Sequence, residues 1–108
     1  MPLVEVFARE ADMPKIQASE LCHFLQDHLG VEPGVVQVMM SVVKDLAPEP
    51  VYLSLRAKGT PPRKEKVQEL LAGIGRYLES KGLSRGKIRI ELFEPSQQAV
   101  HFWGNSKL

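Results

Sequence analysis

The chain has 108 residues, 44% apolar and 25% charged, which is typical of a single soluble globular domain. A net charge of +1 gives no electrostatic support for binding to nucleic acid or to a membrane, and we expect neither as a partner. The only cysteine, Cys22, excludes an internal disulfide and a cysteine-based zinc site, and it favours a reducing compartment. Because no signal-peptide pattern or membrane-length apolar run is present, we expect a cytoplasmic protein.

The first half of the chain has the pattern of a strand, a helix and a second strand. Residues 3–7 form a short apolar strand, and Pro14 suits the first turn of a helix that extends to Leu29. Gly30 then ends this helix. Residues 35–43 form a long, mostly β-branched apolar run, which predicts a strand that is buried on both faces.

The second half repeats this order of elements. Residues 51–55 alternate in the manner of a strand, and a turn containing Pro61 and Pro62 precedes a second helix. Apolar residues over 67–78 have the clearest helical spacing in the chain, and Gly82 caps that helix. Residues 88–92 alternate again, which predicts a strand with one apolar and one mixed face.

Prolines and glycines recur at matching positions in the two halves. The matching pairs are Pro2 with Pro50, Pro14 with Pro62, Gly30 with Gly82, and Gly34 with Gly86. This duplication predicts one α+β domain over residues 1–108, built from two βαβ repeats at 1–50 and 51–108. Right-handed crossovers would place both helices on one face of a four-stranded mixed sheet.

The other face of this sheet would remain uncovered. We expect it to carry Tyr52, Ser54, Arg56, Arg89 and Glu91. The run at 35–43 would add apolar surface, through Val36, Val38 and Met40 or through their alternates. An apolar open face of this size favours burial against other copies of the chain, so we predict a homo-oligomer.

Pro2 follows the initiator Met1 and begins the first strand. A small second residue favours removal of Met1, which would expose a secondary amine held in one direction by its ring. Partial burial or nearby cations lower the pKa of such an amine and leave the free base populated at physiological pH. A base with this property suits proton-transfer catalysis. The alternative is that Pro2 only opens an edge strand, where a missing N–H is harmless.

These features together resemble the tautomerase superfamily, which includes oxalocrotonate tautomerase and macrophage migration inhibitory factor. The similarity covers the whole chain. It includes Met1-Pro2, the strand at residues 87–90, His101-Phe102, and the Trp103-Gly104-Asn105-Ser106 segment. The resemblance implies that Pro2, with Met1 removed, is the catalytic base. It also implies a trimer with pockets between neighbouring subunits.

The sequence contains no metal-binding cluster or glycine-rich phosphate loop, so we expect no metal and no cofactor. The resemblance further implies a set of substrate-binding residues. Arg89 would bind a carboxylate, Lys58 and Arg56 would lie in a turn beside the proline, and Phe102 and Trp103 would wall the pocket. Each has a simpler alternative. Arg89 could pair with a neighbouring glutamate, Lys58 and Arg56 could be solvated, and the two aromatic residues could pack between subunits.

The chain also departs from its relatives. Val31 stands where the migration inhibitory factor type has a lysine, and Thr60 stands where oxalocrotonate tautomerase has an arginine. The predicted function is a keto–enol tautomerase acting on a small α-keto or enol carboxylic acid. One alternative is a non-catalytic oligomer that binds a partner or metabolite. Another is a decarboxylase or hydratase that uses the same proline, with Glu91 or Glu94 as its additional acid.

Overall fold

Four strands form one mixed sheet in the computed structural model, which describes residues 2–83 and 86–94. The strands are β1 (Leu3–Ala8), β2 (Gln37–Val42), β3 (Val51–Lys58) and β4 (Lys87–Phe93). Their order across the sheet is β2-β1-β3-β4. Strands β1 and β2 are parallel, as are β3 and β4, whereas β1 and β3 are antiparallel. The predicted four-stranded mixed sheet is therefore confirmed.

Each parallel pair of strands is joined through helical segments. Helix α1 (Ala18–Leu29) connects β1 to β2, while α2 (Pro61–Glu65) and α3 (Val67–Ser80) connect β3 to β4. Pro14 lies in a separate 3-10 turn over Met13–Lys15, so α1 begins later than predicted. No helix among the described residues is long and apolar enough to cross a membrane.

Each main helix ends at or next to the glycine predicted to cap it. Gly30 caps α1 with φ of 65°, whereas Lys81 caps α3 and is followed by Gly82 with φ of 85°. The next residue in each case bonds back to the last turn. The bonds are Val31 N–H to the Gln26 carbonyl at 3.2 Å and Leu83 N–H to the Leu78 carbonyl at 3.1 Å. Glycine suits both positions because a positive φ strains other residues.

The hydrophobic core lies between the helices and one face of the sheet. Alternate residues of the two central strands are fully buried there, namely Val4, Val6 and Ala8 of β1 and Val51, Leu53, Leu55 and Ala57 of β3. The helices contribute Leu21, Leu25, Leu70, Ile74, Tyr77 and Leu78. Both helices therefore cover the same face, as the duplication predicted.

Strand β2 differs from its prediction because it lies at the edge of the sheet. Val38 and Met40 pair with Val4 and Val6, and they pack against the core with their side chains partly buried. Their alternates face the open side, where Met39 is 49% exposed. The prediction of a strand buried on both faces is wrong, because the described helices cover one face only.

A polar contact joins the two helices at the surface of the helical layer. The Tyr77 hydroxyl donates a hydrogen bond to Glu20 at 2.9 Å, and Lys81 forms an ion pair with the same carboxylate. The hydrogen bonds from Lys81 and Tyr77 lower the pKa of Glu20. Burial, followed by the contact with Glu20, raises the pKa of Tyr77 to about 12. This contact fixes α1 against α3.

Candidate active site

Pro2 lies at the start of a central strand. Its side chain is fully buried, and its carbonyl accepts a hydrogen bond from the Gln37 N–H at 3.0 Å. Continuing the antiparallel register beyond Leu3 and Arg56 sets Pro2 opposite Ala57. Because β1 lies between β2 and β3, the alternative that Pro2 opens an edge strand is wrong. Pro2 is thus held by β2 through the Gln37 hydrogen bond and lies beside the end of β3.

A cavity of about 210 Å³ lies on the helical side of the sheet. Its floor includes Leu55, Ala57 and Leu92, and Arg63 and Lys66 are among its charged lining residues. Ala57 is opposite Pro2 when the register is extended by one residue, but Pro2 itself does not line this cavity. None of the predicted site residues that the structure describes lines it. The sequence feature that could have indicated this cavity is the pair Pro61-Pro62, which begins a helix shortly after the end of a strand.

The open face carries a polar cluster on β3 and β4. Arg56 pairs with Glu91 across the two strands, and Arg89 lies two residues before Glu91. The Arg56 Nε atom donates to Glu91 Oε1 at 2.8 Å, and a terminal nitrogen of Arg89 donates to Glu91 Oε2 at 3.1 Å. One carboxylate therefore bridges two guanidinium groups. We call Arg56, Glu91 and Arg89 the arginine–glutamate cluster.

The cluster borders a depression of about 160 Å³, to which Glu5, Tyr52 and Ser54 also contribute. Hydrogen bonding from Arg56, with the charges of both arginines, lowers the pKa of Glu91. A hydrogen bond with the Tyr52 side chain and the nearby Glu91 charge raise the pKa of Arg89. Glu91 is therefore held in its ionised form, which suits an ion-pair partner better than a proton donor.

The predicted turn that contains Arg56 and Lys58 is wrong, because β3 extends through Lys58. Alternation along β3 keeps Lys58 on the open face with Arg56, and Lys58 is paired with Phe93 of β4. The Lys58 carbonyl, at the end of β3, accepts a hydrogen bond from Arg63 at 3.2 Å.

The structure brings only some of the predicted site residues together. Arg56 and Arg89 meet at Glu91 on the open face, while Pro2 follows the alternation of the buried residues of β1 toward the helical face. The predicted pocket walls Phe102 and Trp103 lie outside the described residues. Within residues 2–83 and 86–94, no group of three or more His, Cys, Asp and Glu side chains comes close enough to hold a metal ion.

The other end of the open face is apolar. Phe7 and Tyr52 pack edge to face with ring centroids 6.2 Å apart. Together with Val43 and Leu46 they border a shallow depression of about 460 Å³. The open face therefore has an aromatic end on β1 and β3 and a charged end on β3 and β4.

The sequence matches no protein-family model and no curated protein. The fold does match solved structures. A macrophage migration inhibitory factor-like protein from Entamoeba histolytica is 14% identical, with a TM-score of 0.68, and the alignment covers 93% of this chain and 95% of that one. A malonate semialdehyde decarboxylase inhibited by 3-bromopropiolate is 16% identical, with a TM-score of 0.69 and coverages of 96% and 91%.

A third similar structure is the wild-type fused 4-OT R7, solved as an asymmetric trimer. It is 14% identical, with a TM-score of 0.66, and the alignment covers 91% of each chain. These proteins all belong to the tautomerase superfamily. At such identities the likeness concerns the backbone, and it extends over more than nine tenths of the chain. The chain therefore has the fold of the tautomerase superfamily.

Proposed function

We propose that this protein is a keto–enol tautomerase for a small α-keto or enol carboxylic acid, with the amine of Pro2 as general base and acid. The proposal requires removal of Met1, because an acylated proline nitrogen has no basic lone pair. The observation that carries it is the position of Pro2, buried at the start of a central strand and held by Gln37. A base in a fixed position is what transfer of a proton from carbon requires.

The burial of Pro2 supports the same chemistry. Removing an amine from water favours its uncharged form, which is the form that accepts a proton. Desolvation therefore favours a proline that acts as a base over one that only starts a strand.

Arg89 is the proposed ligand for the substrate carboxylate, with Arg56 and Lys58 as further cations. Guanidinium groups suit this role because they bind carboxylates through two parallel hydrogen bonds. Pro2 and Arg89 lie toward opposite faces of one chain, so we propose that Arg89 serves Pro2 of a neighbouring subunit. The aromatic end of the open face supports self-association, and a homotrimer is the form proposed, as in the fused 4-OT of similar fold.

The contacts of Glu91 and Glu94 favour tautomerisation over decarboxylation or hydration, because those two reactions would need one of these glutamates as an additional acid. Both oxygens of Glu91 accept hydrogen bonds from arginines, so this carboxylate is poorly placed to activate water. Glu94 is exposed and lies 3.8 Å from Lys64 in a weak ion pair. Tautomerisation needs neither residue, because a single base can move the proton.

The test measures the rate at which the protein converts the enol of phenylpyruvate to its keto form. The sample is protein whose mass shows that Met1 has been removed. We expect activity in this chain, and a lower but measurable activity in Pro2→Ala, whose primary amine is less well positioned. A matched control adds one alanine before Pro2, which turns the proline nitrogen into an amide and leaves its ring in place.

That control should be inactive if the amine of Pro2 is the base. Equal activity in the processed chain, in Pro2→Ala and in the extended chain would contradict the proposal. Inactivity of the processed chain on a range of enol acids would favour the alternative, a non-catalytic oligomer that binds a metabolite or partner.

A further inference from the structure

The arginine–glutamate cluster has the geometry of an occupied anion site. Two guanidinium groups donate to the two oxygens of one carboxylate, at 2.8 and 3.1 Å. A free carboxylate would meet the same pair of donors in the same way. We propose that Arg56 and Arg89 form a site for a small carboxylate that Glu91 fills when no ligand is bound, so that Glu91 determines which anions bind.

The contacts of Glu91 are accessible enough to be exchanged. The side chains of Arg56 and Arg89 are 54% and 58% exposed, and that of Glu91 is 37% exposed. Ion pairs at this exposure contribute little net stability, because water and salt screen them and because long side chains lose entropy on pairing. An arriving carboxylate can therefore displace Glu91 without disturbing the core.

The surroundings of the cluster also favour an exchangeable site. The adjacent depression of about 160 Å³ gives a ligand access to both guanidinium groups. Glu5 borders this depression, but it forms no hydrogen bond or ion pair with either arginine. Glu91 is thus the only carboxylate of the described residues bonded to Arg56 and Arg89.

Displacement leaves the ionised Glu91 close to the bound ligand. Repulsion between the two carboxylates then opposes binding, and the opposition increases with the negative charge of the ligand. Glu91 should consequently favour monocarboxylates over more highly charged anions. The inference rests on the proposed function in one respect: it takes the bound ligand to be the carboxylate of the substrate.

Substitution of Glu91 by glutamine tests the inference, because it keeps the side-chain size and removes the charge. The measurement is a titration of pyruvate followed by NMR of the arginine Nε–H groups, in a Pro2→Ala background that removes the proposed base. We expect Glu91→Gln to lower the dissociation constant for pyruvate about tenfold, since it replaces the competing carboxylate with a weaker neutral acceptor and removes the repulsion. Malonate, a dianion at neutral pH, should gain more than pyruvate.

Glu79→Gln is the matched control. Glu79 is exposed on α3, so its substitution makes the same change in net charge but on the helical side of the sheet. It should leave both dissociation constants unchanged. Adding Arg89→Ala to Glu91→Gln should abolish the gain, which would locate the ligand at the cluster. If Glu91→Gln proves unstable by thermal unfolding, Glu91→Ala serves in its place.

Equal pyruvate affinity in the parent chain and in Glu91→Gln would overturn the inference, as would an equal gain in Glu79→Gln. The result is independent of catalysis, because the titration uses a chain that lacks Pro2. A failed phenylpyruvate assay would therefore leave a positive titration intact, and an active enzyme with no change in affinity would disprove only the role of Glu91.

Discussion

The two faces of the sheet differ completely, although the same strands supply both. On β3, Leu53 and Leu55 are fully buried under the helices, while Ser54 and Arg56 between them lie on the open face. The side-chain period of two separates these roles residue by residue. Neighbouring positions should therefore respond differently to substitution, with effects on stability from one face and effects on assembly or binding from the other.

The largest contrast is expected between Leu53 and its neighbour Ser54. Leu53→Ala should lower the free energy of unfolding by about 2–5 kcal/mol, because it removes buried methyl groups from a central strand and leaves a cavity. Ser54→Ala should change it by less than about 0.5 kcal/mol. Urea denaturation of both variants measures the difference. Equal losses would mean that the open face contributes as much to stability as the core.

The second contrast lies on the edge strand, between Val38 and Met39. Val38→Asp places a charge on the helical face and should lower the free energy of unfolding by about 1–3 kcal/mol. Met39→Asp alters a half-exposed residue of the open face and should leave the folded subunit stable. Met39→Asp should remain folded, and light scattering should show that it self-associates more weakly than the parent chain. Val38→Asp, where it remains folded, should self-associate like the parent chain. A Met39→Asp chain that assembles normally would argue against assembly through this part of the open face.

The third contrast separates binding from folding on the open face. Arg89→Ala should raise the KM for phenylpyruvate about tenfold, because a charged hydrogen bond to the carboxylate is lost. Its thermal unfolding should match that of the parent chain, since the Arg89 side chain is 58% exposed. Steady-state kinetics and calorimetry provide the two measurements. An equal loss on an enol substrate without a carboxylate would indicate a structural effect instead.

The smallest effect is expected in the helical layer, at Glu20. Its pKa is lowered in the folded state from 4.5, first by the hydrogen bond from Lys81, so the ionised side chain stabilises the fold above about pH 4.5. This contribution should disappear as the pH falls through the lowered pKa. Glu20→Gln should reduce the melting temperature slightly at pH 7, and the difference between the two chains should shrink as the pH falls below about 4.5. A constant difference from pH 7 to pH 3 would contradict this account.

Much of the fold could be predicted from local patterns. Alternation in residues 51–55 and 88–92 identified two strands and the faces they bury, and Gly30 and Gly82 marked helix ends that require a positive φ. The duplication of these signals was sufficient to predict the mixed sheet. The uniformly apolar run at 35–43 lacked alternation, so its sequence could not distinguish a buried central strand from an exposed edge strand.

The sequence by itself determined which side chains alternate along the predicted strands, where the helices end, and that Pro2 directly precedes the first strand. Those properties depend on neighbours in the chain. The tertiary structure decided that β1 is central and β2 is an edge, that Arg56 and Lys58 lie in β3, and that Glu91 bridges two arginines. These depend on strand order and register, which bring together residues distant in sequence. Local propensity carries no information about which strands become neighbours.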